Sequence, residues 1–207
     1  MLTHWIRWSL AWFVILLFST MLYDANAQPR IATIIGNADY VVEKLELRNP
    51  VNDANLMAST VSGLGFDVRL HTNLSRDEML RVFNEHRERL EAAGPSAIGL
   101  FYYAGHGMQV NGKNHLIPVN TRARFREDAL AEPQLGVAIS LMEQAGNAVN
   151  LIVLDACNDN PLPARSGLGR SAGTDNGLAG VPRSAGLLIA YAAQPGRTAA
   201  DGAGANS

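Results

Sequence analysis

The sequence predicts an α/β domain, a doubly wound and mostly parallel sheet flanked by helices. Residues 97–104 (AIGLFYYA) and 150–156 (NLIVLDA) are nearly continuous apolar runs, as expected of parallel strands covered on both faces. Segments with helical spacing lie between the strand-like runs. Strands that alternate with helices in this way build a parallel sheet.

Each element follows from local pattern. Residues 30–36 (RIATIIG) are a short β-branched strand, followed by a polar loop over 37–49. Residues 51–64 carry Leu56, Met57, Thr60/Val61 and Leu64 at helical spacing, which predicts a helix with that face inward, ended by Gly63 and Gly65. Residues 66–71 (FDVRLH) alternate like a strand. Ser75 and Glu78 form a capping-box pattern that opens a helix to about Ala93, with Met79, Val82/Phe83, His86 and Leu90 toward the core and Gly94-Pro95 as the stop. Residues 108–119 read as a hairpin turning at Asn111-Gly112. A helix is expected over 136–145, a long loop rich in Gly, Pro, Ser and Arg over 158–185, and a last strand over 186–192 (GLLIAYA).

The first residues are a separate object. His4 and Arg7 precede an uncharged apolar run from Trp8 to Tyr23, and Ala25-Asn26-Ala27 supplies a small-x-small cleavage pattern. Residues 1–27 therefore read as a signal peptide, which gives an exported, periplasmic or secreted domain over 28–207. The run is shorter than the roughly 20 residues of a membrane span, so no stable membrane association is expected after cleavage. The chain has 207 residues, 47% of them hydrophobic, which suits one well-cored domain. Its net charge is -2 with no Lys/Arg block, so nucleic acid is not an expected partner. Gly36-Asn37 opens no phosphate-cradling loop. One Cys, with no His-x3-His or Cys-x2-Cys pair, leaves no metal-ligand cluster.

Open α/β sheets bind ligands beyond the carboxyl ends of their strands. Gly105-His106-Gly107 follows the first apolar run and Cys157, the only cysteine, follows the second. A lone His at a strand end is usually structural, and a lone Cys is usually core. Together on one sheet edge they form what nucleophilic thiol chemistry requires. Imidazole takes the thiol proton, and the thiolate attacks. The flanking glycines let a substrate backbone approach and leave a main-chain N–H to face an oxyanion.

At Tyr102-Tyr103-Ala104-Gly105-His106-Gly107 and Leu154-Asp155-Ala156-Cys157 the chain resembles the caspase superfamily, in its bacterial metacaspase-like branch. The His lies about 50 residues before the Cys, as in that family. Residues 30–36, Asn52-Asp53-Ala54, residues 63–66, residues 188–192 and Pro195-Gly196 extend the resemblance over essentially all of residues 28–207. It implies a cysteine-type endopeptidase acting on protein or peptide substrates, with no cofactor. His106 becomes the general base and Cys157 the nucleophile. The N–H groups of Gly107 and Cys157 become the oxyanion hole.

Departures from caspases sharpen the expectation. The nucleophile motif is Asp155-Ala156-Cys157, as in metacaspases and paracaspases, which cut after Arg or Lys. Asp201 stands near the place where caspases carry a pocket Arg, and Asp53 resembles a second S1 carboxylate. For Asp53 an ordinary helix N-terminal acid is an equal reading. Residues 158–185 correspond to the loop where family members are processed, with Arg165, Arg170 and Arg183 as self-cleavage candidates. Calcium activation occurs in metacaspases, and only Asp128 and Asp159 are candidate ligands here. The family continues with a further helix and strand after the last residue of this sequence, so truncation at the C-terminus is expected. The alternative reading is a catalytically silent caspase-like module that binds proteins. Oligomeric state is not legible.

Overall fold

The computed structural model describes residues 28–157, 162–163, 178–181 and 184–192. Six strands form one sheet: β1 (Arg30–Gly36), β2 (Asp67–Thr72), β3 (Ile98–Val110), β4 (Lys113–Leu116), β5 (Val149–Cys157) and β6 (Leu187–Tyr191). The order is β2-β1-β3-β5-β6, with every neighbouring pair parallel and β4 antiparallel to the distal part of β3. The order turns back between β1 and β3, so their carboxyl ends border the crevice where such sheets place ligands.

Helix α1 (Pro50–Gly63) covers one face, against Ala32, Ile34, Leu100, Tyr102 and Ala104. Its buried side is Pro50, Asp53, Ala54, Ala58 and Val61. Of the positions expected from spacing, Val61 is buried and Met57 packs against this layer, but Leu56 is 55% and Leu64 58% exposed, and Ala54 and Ala58 take their place inside. The reason is close approach. A Cβ on Gly36 would stand 2.5 Å from the Pro50 carbonyl oxygen and 2.7 Å from Ala54 Cβ, so only small side chains fit between this helix and β1.

Helices α2 (Arg76–Ala93) and α3 (Leu135–Gln144) cover the other face. Ser75 opens α2, and Glu78 Oε2 reaches back to its N–H at 2.8 Å. Met79, Val82, Phe83, His86 and Leu90 are its buried residues, the face expected from spacing. Phe83 and Phe101 meet edge to face with centroids 5.6 Å apart. The β3–β4 hairpin turns at Asn111 (φ 52°) and Gly112 (φ 74°), the left-handed pair that a two-residue turn needs.

Residues 37–49 are not a simple polar loop. They contain a 3₁₀ turn (Glu43–Leu45) and bury Tyr40 and Leu45 with Met108, Val110 and Ile117 in a third cluster. Burying a leucine-sized side chain is worth about 1.5–3 kcal/mol, enough to hold such a loop down. Asn37 anchors it: its Oδ1 accepts from Leu74 N–H at 2.9 Å and its Nδ2 donates to the Ile117 carbonyl at 3.2 Å. In the 158–185 loop, Leu162 and Leu178 are buried and join the third and the α2–α3-side clusters. Among the described residues, no helix is long and apolar enough to cross a membrane.

Candidate active site

β3 continues past the apolar run, so His106 lies within this long strand and not after it. Gly105 makes this passage feasible. Its φ is 147°, and a Cβ there would stand 2.8 Å from Tyr103 Oη and 3.0 Å from Tyr40 Oη. In the β3–β5 ladder His106 is the register partner of Cys157, the last residue of β5. The two residues singled out by the sequence are thus neighbours on adjacent parallel strands.

His106 is buried and held from several sides. Its ring Nε2 lies 2.8 Å from the Leu45 carbonyl oxygen. A carbonyl only accepts, so Nε2 carries a proton, and in the neutral form of the ring the basic lone pair is on Nδ1. Its backbone N–H donates to Tyr40 Oη at 3.0 Å, and the Tyr40 ring packs on the imidazole at 4.9 Å between centroids. Its carbonyl accepts from Tyr103 Oη at 2.9 Å and from Ile117 N–H at 3.0 Å. Burial pushes the Tyr103 phenol well above its ordinary pKa, so it keeps its proton and donates it here.

Gly107 stands opposite Leu116, and the bond from Ile117 N–H to the His106 carbonyl makes them a non-hydrogen-bonded pair. The Gly107 N–H therefore faces away from β4, toward the β5 side where Cys157 lies. A Cβ on Gly107 would come within 3.1 Å of Ala156 Cβ and of Leu178 Cδ2, which explains glycine here as well.

The acids gather on the α1 side. Asp155 is the register partner of Ala104, and its Oδ2 accepts from Tyr102 Oη at 3.0 Å. Asp53, in the first turn of α1, is buried, and its charge also acts on Tyr102. The structure thus brings Asp53 and Asp155 to one tyrosine. Asp201, Arg165, Arg170, Arg183 and Asp159 lie outside the described residues. Asp128 Oδ2 accepts from the N–H groups of Arg124 and Phe125, both at 2.9 Å, and so caps a 3₁₀ helix (Arg126–Ala131). Among the described residues no three His, Cys, Asp or Glu side chains are grouped to hold a metal ion.

Sequence reasoning missed Tyr40, the Leu45 carbonyl and the partner of the Tyr102 hydroxyl. Tyr40 is the only aromatic in residues 37–49, and that isolation was the one available signal. A backbone carbonyl carries no signal at all.

Comparison with known proteins identifies the family and the fold. Residues 29–207 match the family model described as caspase domain. Over 132 residues, 63% of the chain, the sequence is 29% identical to mucosa-associated lymphoid tissue lymphoma translocation protein 1 of Homo sapiens. The Mus musculus homolog matches equally. The match spans 15% of the length of each of these relatives. Caspase-1 from Spodoptera frugiperda superposes with a TM-score of 0.59 at 19% identity, over 88% of this chain and 67% of that one. Protein GSU0716 from Geobacter sulfurreducens superposes with a TM-score of 0.50 at 19% identity, over 63% and 51%. These structures share the fold.

Proposed function

The chain belongs to the caspase-domain family, and from that membership we propose that it is a cysteine endopeptidase cleaving after Arg or Lys. The observation that carries the proposal is the register pairing of His106 with Cys157, with the imidazole fixed by the Leu45 carbonyl. In this reading His106 Nδ1 takes the thiol proton and the thiolate attacks the scissile carbonyl. The oxyanion faces the N–H groups of Gly107 and Cys157. The imidazolium gives its proton to the leaving amine, leaving a thioester that water hydrolyses with His106 again as base. Asp155, supported by Asp53 and Asp201, forms the S1 anion, and a cationic P1 side chain is favoured there. None of these steps calls on a metal. The proposal includes removal of residues 1–27 on export, a catalytic domain over 28–207, and self-processing at Arg165, Arg170 or Arg183.

The test compares peptides that differ only at P1. Hydrolysis of Arg and Lys peptides, with none of the Asp peptide, is expected. Equal cleavage of Arg and Asp peptides would reject the specificity. No cleavage of any peptide by protein of native spectrum would favour a silent binding module. Mass analysis of fragments then reads self-processing, which should occur in wild type and not in Cys157→Ala.

A further inference from the structure

Tyr102 and Tyr103 are consecutive on β3, so their side chains leave the sheet on opposite faces. Tyr102 packs on the α1 side among Ala54, Ala58 and Val61. A buried hydroxyl needs a partner, and a layer of small apolar side chains supplies none. The register supplies one. Tyr102 pairs with Val153 on β5, and Asp155 follows two residues later on the same face. Its Oδ2 lies 3.0 Å from Tyr102 Oη. Burial, then the charge of Asp155 and its hydrogen bond, then the charge of Asp53, raise the pKa of the phenol far above its ordinary value. The hydroxyl therefore stays protonated and donates.

We infer that Tyr102 is a positioning residue for substrate selection, its hydroxyl fixing the plane of the Asp155 carboxylate toward a basic P1 side chain. This rests on the assignment of Asp155 as an S1 anion. A guanidinium binds a carboxylate through two parallel N–H bonds, so the plane of the acid matters. An ammonium is a compact point charge and is far less sensitive to that plane. A carboxylate already tied to Tyr102 need not be ordered when substrate arrives. A carboxylate offers about four lone-pair sites, and the Tyr102 hydroxyl takes one of them. Tyr102 thus favours Arg over Lys without touching either.

The experiment measures calorimetric affinity of Cys157→Ala protein for two short peptides, one ending in Arg amide and one in Lys amide. Adding Tyr102→Phe should weaken the Arg peptide about tenfold and the Lys peptide about twofold, the loss expected for one charge-assisted hydrogen bond that serves geometry. In a background that also carries Asp155→Asn, Tyr102→Phe should change either affinity by no more than about twofold, because its effect runs through Asp155. In the active enzyme, Tyr102→Phe should raise KM for the Arg peptide while kcat stays within about twofold. Equal losses for the two peptides would overturn the inference, as would a full loss that persists with Asp155→Asn. Each would make Tyr102 a packing residue only. If the parent protein binds neither peptide, the S1 assignment itself fails and the inference falls with it.

Discussion

The two faces of the sheet bury polar groups to different ends. On the α2–α3 side large side chains fill the layer, among them Phe83, Phe101, Tyr103 and Leu116. Its polar members are tied to one another or to backbone: Thr33 Oγ1 lies 2.9 Å from His86 Nδ1, and Tyr103 Oη donates to the His106 and Ile117 carbonyls. On the α1 side the layer is thin, built on alanines, and its tyrosine is bound to a carboxylate. A hydroxyl on a carbonyl holds the chain, whereas a hydroxyl on a carboxylate holds a charge. The thick face therefore helps to hold the backbone of His106 through Tyr103, and the thin face carries Asp53 and Asp155, the acids proposed to meet substrate.

The largest effect should come from the residue the thick face holds. His106→Ala should lower turnover of an Arg peptide about 10³-fold, as expected for loss of a general base, and should also lower the thermal midpoint, because the buried ring and its bond to the Leu45 carbonyl are lost. Asp155→Asn on the thin face should lower turnover of that peptide while thiol labelling by a small alkylating reagent stays intact. A loss of labelling in Asp155→Asn would erase the division of roles.

Much of the thick face was legible in the sequence, and little of what orients the site. The Ser75–Glu78 cap and the spacing from Met79 to Leu90 gave α2 because a long amphipathic helix follows a simple period. The unbroken runs into Gly105-His106-Gly107 and Cys157 placed both residues of the candidate site on neighbouring strands, where the structure has them. The inward face of α1 was not legible, since pattern counting favours Leu56 and Leu64 while close helix–strand approach selects Ala54 and Ala58. Residues 37–49 have no period, and only docking on the segment that follows β4, as in the bond from Val41 N–H to the Val119 carbonyl, decides that they pack against His106.

Acid should weaken the thick face first. Burial, then the charge of Arg89, lowers His86 to about 3 from its ordinary 6.5. The folded state keeps His86 neutral while the unfolded chain takes up a proton below about 6.5. Stability should therefore fall as pH drops from about 6.5 toward 3, by up to about 1.4 kcal/mol per pH unit. His71, half-buried and also lowered chiefly by desolvation, adds a smaller part in that window. Urea denaturation at pH 7, 5 and 4 should show a shallower loss in His86→Gln, which keeps a polar partner for Thr33. An identical loss in both proteins would place the acid sensitivity elsewhere.

Smaller effects sharpen the same contrast. Gly105→Ala should cost about 2–3 kcal/mol, from a left-handed φ and crowding on two tyrosine hydroxyls. Gly136→Ala, where a Cβ meets nothing within 4 Å, should be neutral or stabilising by up to about 1 kcal/mol. Tyr103→Phe should cost about 1–1.5 kcal/mol of stability, and Tyr102→Phe less, because Asp155 is only partly buried and water can replace the hydroxyl. The reverse order in chemical denaturation would contradict the assignment of stability to one face and recognition to the other.

The most direct test of the central claim is covalent labelling with a peptide-Arg electrophile, read by intact mass. The register pair of His106 and Cys157 on adjacent strands predicts one adduct per wild-type chain, located at Cys157, with strong slowing in His106→Ala and none formed by Cys157→Ala. A peptide-Asp electrophile of the same reactivity should label far more slowly. Equal labelling by the Arg and Asp reagents, or a rate unchanged by loss of His106, would contradict the account.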